Sequence, residues 1–180
     1  MTCIVGLEHA GVVYIGGDSA GVAGLSISSR ADGKVFTNGP MAFGFTTSFR
    51  MGQLLRYALK VPFQQPDETD DQYMVTTFVN EVRKCLKDGG YAKKENEAEQ
   101  GGQFLVGYKG RLYCLDSDYQ VGRSRHPYDA VGCGQDIALG AMHALHQKGV
   151  ANAAEAIRAA LLAAEEFSAG VRAPFEIVAK

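Results

Sequence analysis

The chain has 180 residues, of which 46% are hydrophobic and 21% charged, and this predicts one domain, residues 1–180, with its own apolar core. A formal net charge of −2 without a basic block argues against a dedicated nucleic-acid binder, and no run is long and apolar enough to cross a bilayer. There is no basic region followed by an apolar run and a cleavage site, and Cys3, Cys85, Cys114 and Cys133 fit neither a zinc site nor a CxxC motif. Free thiols and a cytoplasmic location are therefore expected.

"TCIVGLEHAGVVYIGGD" predicts a hairpin with arms Thr2–Glu8 and Val12–Gly17 and "HAG" as its turn. "KVFTNGPMAFGFTT" predicts two more short strands around "NGP". A helix follows over about Ser48 to Lys60, with Leu54, Leu55 and Ala58 on one face. "PDETDDQYMVTTFVNEVRKCLKDGG" carries the clearest helix signals. Its first turn is acidic, Arg83, Lys84 and Lys87 close it, and Gly89 and Gly90 stop it. Met74, Phe78, Val82, Cys85 and Leu86 form its buried stripe.

"AKKENEAEQGG" reads as a polar surface connector, and "QFLVGYKGRLYCLD" as another hairpin with "KG" at its turn. "YDAVGCG" is a short strand running into a glycine-rich bend. Two helices are expected near Asp136 to Gln147 and Asn152 to Ser168, and "APFEIVA" as a last strand. Clustered hairpins cannot cover both faces of a sheet themselves. The element order predicts an α/β (α+β) chain in four layers, an αββα sandwich of two mainly antiparallel sheets, each covered by a helix pair.

The chemistry gathers at the front end. Thr2 follows Met1, and aminopeptidases remove a methionine that precedes a small residue. Thr2 would then carry a free α-amine, whose reference pKa is about 7.7–8.0. Neutral, that amine can serve as general base for the hydroxyl on its own residue. A turn centred on Ala10 places Asp18 opposite Thr2, and a one-residue shift in turn type would change the partner but not the neighbourhood. Lys34 opens the next strand, where it would partner Asp18 and depress the pKa of the amine by like-charge repulsion. On the last helix Ile157, Leu161, Glu165 and Ser168 share a face, so an acid and a hydroxyl continue an apolar stripe.

Other candidates have plainer readings. Strand alternation turns Cys3 away from Thr2 into the core. His143 and His146 sit at i and i+3 without a third ligand nearby, which makes them surface or interface residues, and no metal or organic cofactor is called for. His126 precedes Pro127 and carries no clear signal. "GGDSAG" looks like a phosphate loop, but no helix follows it and the P-loop lysine is missing. Phe45 fits either a specificity pocket or the core.

The segments "TCIVG", "IGGDSAG", "KVF", "AVGCGQDIALGAMHAL" and "AAEEFSAG" together resemble the proteasome β-subunit and HslV family of N-terminal-nucleophile hydrolases. The resemblance runs in order through nearly the whole chain. It implies the αββα fold, Thr2 as nucleophile with its amine as base, Asp18 paired with Lys34, and Ser168 near the amine. It also implies stacked homo-oligomeric rings enclosing a chamber, unfolded protein or peptide as substrate, and an ATP-dependent unfoldase as partner. The chain departs from the family pattern at three positions. Cys133 replaces a serine of the network around the amine, and a thiol is the weaker hydrogen-bonding group. Glu165 stands where an aspartate is usual. Thr47 replaces the glycine whose N–H helps form the oxyanion hole, and it keeps that N–H. An inactive ring subunit and a small-molecule amidase with the same nucleophile remain open alternatives.

Overall fold

The computed structural model describes residues 1–95 and 98–180, and its architecture is built outward from one hairpin. The arms are β1 (Cys3–His9) and β2 (Val12–Gly17), antiparallel. Their turn has two residues, Ala10 and Gly11, with φ of 51° and 79°. That is the type I′ geometry whose twist matches the strands. Ile4 therefore pairs with Gly17, one residue along from the register of a three-residue "HAG" turn, and Asp18 does not lie directly opposite Thr2.

β12 (Tyr128–Gly132) flanks β1 and β13 (Glu176–Ala179) flanks β2, giving a four-stranded antiparallel sheet. A second sheet has the order β11 (Val121–Gly122), β10 (Arg111–Leu115), β9 (Phe104–Tyr108), β6 (Met41–Phe45), β5 (Val35–Asn38). The β9–β10 turn is Lys109 and Gly110, at φ 47° and 75°, as "KG" predicted. The two sheets face each other through Ile4, Ile15, Val35, Ala42, Leu105 and Val131.

Helices α1 (Phe49–Tyr57) and α3 (Val79–Asp88) cover the outer face of the five-stranded sheet, burying Met51, Leu55, Val82 and Leu86 against Phe43 and Phe104. Helices α4 (Gln135–Lys148) and α5 (Ala153–Phe167) cover the other sheet, where Met142, Ile157, Leu161 and Ala164 meet Cys3, Val5 and Leu7. Alternation along β1 thus splits its side chains between two cores. The four-layer sandwich expected from the element order is the observed fold. Side-chain caps start the helices where the sequence places them: Ser48 accepts from the Arg50 N–H, and Asn152 from those of Ala154 and Glu155.

Three segments differ from the expectation. The helix anticipated before Gly89 is not uniform: α2 (Asp70–Tyr73) passes through a π turn over Met74–Phe78 into α3. The extra residue rotates Tyr73 into the core beside Met74 and Phe78, where its hydroxyl donates to the Pro62 carbonyl at 2.6 Å. The polar connector is a hairpin, β7 (Lys93–Glu95) with β8 (Ala98–Gln100), tied to α3 by Arg83 on Glu99 at 2.8 Å; part of that connector, residues 96–97, lies outside the described residues. A further hairpin, β3 (Ala20–Ala23) with β4 (Ser26–Ser29), stands apart from both sheets with Leu25 exposed at its tip. Its run of small residues has no alternation to announce it. Among the described residues no helix is long and apolar enough to cross a membrane.

Candidate active site

Where β2 ends, Asp18 turns back on β1. Its Oδ1 accepts from the Cys3 N–H and from Lys34 Nζ, both at 2.9 Å. Its Oδ2 accepts from the N–H groups of Ala20 at 2.9 Å and Arg172 at 3.4 Å. Four donors use the acceptor capacity of the carboxylate, and the pair is sealed from water, with side-chain exposures of 1% for Lys34 and 0% for Asp18. Burial pulls the Lys34 ammonium below its usual 10.5, with Asp18 opposing that shift. The one-residue register change therefore leaves Asp18 in place, gripping the backbone beside Thr2.

Thr2 is only 4% exposed. Its N–H donates to Cys133 Sγ at 3.3 Å, and its carbonyl accepts from the Cys133 thiol and the Gly134 N–H, each at 3.4 Å. Cys133 Sγ lies 3.5 Å from Ser168 Oγ at the C-terminal cap of α5. This wrap is possible because Gly132 ends β12 at φ 103°, where a Cβ would run into the Thr2 carbonyl. The Thr2 hydroxyl donates to the carbonyl of Met1, which is itself 56% exposed.

A cavity of about 70 Å³, bounded on one side by Met1, opens against Thr2, Lys34, Thr46 and Thr47. Thr47 has φ 70°, a left-handed backbone that glycine adopts freely and a β-branched residue adopts only under constraint. Its Oγ1 accepts from the Gln103 N–H at 3.2 Å, which anchors the strained residue, and among the described residues its own N–H takes part in no hydrogen bond.

The structure thus brings together Thr2, Asp18, Lys34, Cys133, Ser168 and Thr47. Glu165 stands off: its Oε1 accepts from the Ala173 N–H at 2.9 Å and lies 4.0 Å from Arg172. It braces the loop whose Arg172 N–H reaches Asp18, and does not contact Thr2. Cys3 is fully buried under α4 and α5, and burial, with Asp18 adding to it, pushes its thiol up to about 12. Phe45 is buried, at 4% exposure, and it also lines the Thr2 cavity. His126 and His143 gather around Tyr128 at the far end of β12, with the Tyr128 hydroxyl 2.9 Å from His143 Nδ1. The donors on Ala20 and Arg172 escaped the sequence reading because backbone N–H groups carry no residue signature.

No protein-family model matches the sequence, and no curated protein matches it. Solved structures do match. Thiobacillus denitrificans BPH in complex with epoxomicin superimposes with a TM-score of 0.80 at 20% identity, over 99% of this chain and 98% of that one. BPH from the same organism also matches at 0.79 and 19%, over 99% and 97%. Eukaryotic HslV from Trypanosoma brucei matches at 0.69 and 15%, over 99% and 98%. The chain has the HslV-like, proteasome-type fold. In this HslV-like fold the cluster around Thr2 occupies the ends of β1, β2 and β12, where three strands and the cap of α5 converge.

Proposed function

We propose that the chain is a threonine-type endopeptidase subunit that acts with Met1 removed and Thr2 as its first residue. The observation that carries this reading is Thr2 itself, a buried hydroxyl residue whose nitrogen faces Cys133 and whose cavity is also lined by Lys34, the buried partner of Asp18. Once freed, the α-amine takes the proton as Oγ bonds to the scissile carbonyl carbon. The oxyanion falls to the Thr47 N–H. The C–N bond then breaks, the leaving amine takes the proton, and an ester remains on Thr2. A water deprotonated by the same amine attacks the ester, releases the acid and restores the hydroxyl. Lys34 holds positive charge beside both the amine and the nucleophile, which favours a neutral amine and steadies the oxygen during attack. Homo-oligomeric rings around a chamber, unfolded protein or peptide as substrate, an ATP-dependent unfoldase and a cytoplasmic setting belong to the same proposal.

The test is the intact mass of the natively expressed protein after exposure to a peptide epoxyketone, which needs an amine and a hydroxyl on one N-terminal residue. The expected result is a chain lacking Met1 with one adduct at Thr2. An unmodified chain that retains Met1 overturns the reading. It would favour an inactive ring subunit, a role for which the Thr2 hydroxyl already engaged by the Met1 carbonyl is the supporting observation. Labelling without peptide turnover would point to a small-molecule amidase.

The pH profile supplies a second check. Activity rises as the Thr2 amine loses its proton and falls as Lys34 loses its own. Because burial lowers the Lys34 pKa, the alkaline fall in kcat/KM is expected to begin below pH 10.5. Arginine stays protonated throughout that range, so the residual activity of Lys34→Arg should show no alkaline limb. An unchanged limb in that variant would assign it to another group.

A further inference from the structure

One of the four cysteines is open to solvent. Cys3 is fully buried, and Cys85 and Cys114 are half-buried, with burial pushing both of their thiols up. Cys133 is exposed, on the bend between β12 and α4. Loss of Met1 adds to that exposure, since Met1 and the Cys133 sulfur lie against the same residue, Gly170.

The sulfur also touches the nitrogen that the reaction needs as its base. Cys133 Sγ accepts from the Thr2 N–H at 3.3 Å. That approach is held by contacts in which Met1 has no part. The Thr2 carbonyl accepts from the Cys133 thiol and the Gly134 N–H, each at 3.4 Å, and the following N–H, on Cys3, is fixed on Asp18 at 2.9 Å. The contact therefore survives when Met1 leaves and the Thr2 nitrogen becomes a primary amine. Ser168 Oγ, 3.5 Å from the sulfur, is a hydroxyl able to donate to an oxygen placed there. An oxidisable thiol and a nucleophilic amine in contact make a site that neither makes alone.

The chemistry follows from the first oxidation step of a thiol. The thiolate attacks one oxygen of hydrogen peroxide, the O–O bond breaks, and the other oxygen leaves as water. The sulfenic acid that results condenses with a nearby thiol or nitrogen. Cys3 is turned into the core under α4 and α5, whereas the Thr2 nitrogen is already against the sulfur. Its lone pair bonds to sulfur, the S–O bond breaks, and the oxygen leaves as water with a proton from nitrogen. A thiol, an amine and a peroxide thus become a sulfenamide and a pair of waters, and the chain is lighter by a pair of hydrogens. A small thiol in excess reverses the step, being oxidised to its disulfide as it returns the Cys133 thiol and the Thr2 amine.

We propose that Cys133 is a peroxide-sensitive modification site, at which oxidation joins its sulfur to the Thr2 α-amine as a sulfenamide and reversibly switches the subunit off. The proposal rests on the reading of Thr2 as first residue and nucleophile. A nitrogen bonded to sulfur no longer takes the proton from Oγ, so the bond removes the base and leaves Lys34, Asp18 and the fold in place. It also halts oxidation at a reducible stage, short of the sulfinic acid.

The experiment treats protein freed of Met1 with hydrogen peroxide and follows peptide hydrolysis and intact mass, before and after dithiothreitol. Turnover is expected to fall below about a tenth of the untreated rate, in a chain lighter by about 2 Da whose Thr2 and Cys133 peptides are joined, and dithiothreitol is expected to restore both. Cys133→Ser should keep more than about half of its own untreated rate at the same dose. A Cys3–Cys133 disulfide has the same mass, so the denatured, unreduced chain is also reacted with an amine label, which finds the Thr2 amine blocked in the sulfenamide and free in the disulfide. A free amine on the lighter chain, added oxygen on Cys133 without that loss, or an unchanged mass overturns the proposal. Thr2→Ala freed of Met1 keeps amine and thiol, and it should form the same bond with no hydrolysis to measure. If wild type forms the bond but hydrolyses no peptide, the modification site stands and the nucleophile falls. Turnover without the bond does the reverse.

Discussion

Thr2→Ala, in protein freed of Met1, is expected to lower peptide kcat by about 10⁴-fold or more while leaving the fold intact. The variant keeps an α-amine, the Lys34–Asp18 pair and the Thr47 N–H, so only the nucleophile is lost. Sites that lose a nucleophile retain the modest rate supplied by their remaining donors and by binding, on the order of 10³–10⁴-fold over water. Stability should barely change, because among the described residues the Thr2 hydroxyl bonds to the Met1 carbonyl alone, and that bond leaves with Met1. A loss of about 1 kcal/mol corresponds to roughly 2–4 °C in Tm for a chain of this size. Peptide hydrolysis and a thermal melt on the same preparation check both halves. Turnover within tenfold of wild type would move the nucleophile elsewhere, and Cys133, 3.3 Å from the Thr2 nitrogen, would be the next residue to replace.

Thr2, Asp18 and Lys34 were legible in the sequence for a common reason. Each stands at the end of a strand whose partner can be counted along a hairpin. The count was off by one residue at Ala10 and Gly11, since alanine seldom takes the left-handed backbone that a two-residue turn demands. At Lys109 and Gly110 the same turn was read correctly from a pattern of strands that leaves no other spacing. Glu165 misled for the opposite reason. Helical spacing puts it on the face of Leu161, but a side chain that long is free to swing off that face, and the Ala173 N–H captures it. The π turn over Met74–Phe78 had no marker, because its residues are ordinary helix and core residues and the insertion is settled by how Tyr73 packs. The Arg172 donor, far along the chain, becomes visible only once the chain has closed on Asp18, and the Ala20 donor, two residues on, is a backbone N–H that no residue type announces.

Lys34→Ala is expected to separate structure from chemistry, because it disturbs both by different amounts. The buried Asp18 carboxylate would lose one donor of four and, among the described residues, its paired cation. Breaking a buried ion pair costs about 3–5 kcal/mol, and the three remaining N–H donors place this site toward the low end. For a chain of this length that is a fall in Tm on the order of 10 °C. At 25 °C the variant would still be folded, so any loss of rate there belongs to the site. The rate loss should be about 10²–10³-fold, the size seen when one preorganised charge or donor is removed from a developing oxyanion. Lys34→Met refines the comparison. It fills the space that the alanine leaves empty, so it should recover part of the stability and none of the rate. If Lys34→Met instead hydrolyses peptides within tenfold of wild type, Lys34 serves only to neutralise Asp18, and the nucleophile must be activated by the Thr2 amine without help from a neighbouring charge.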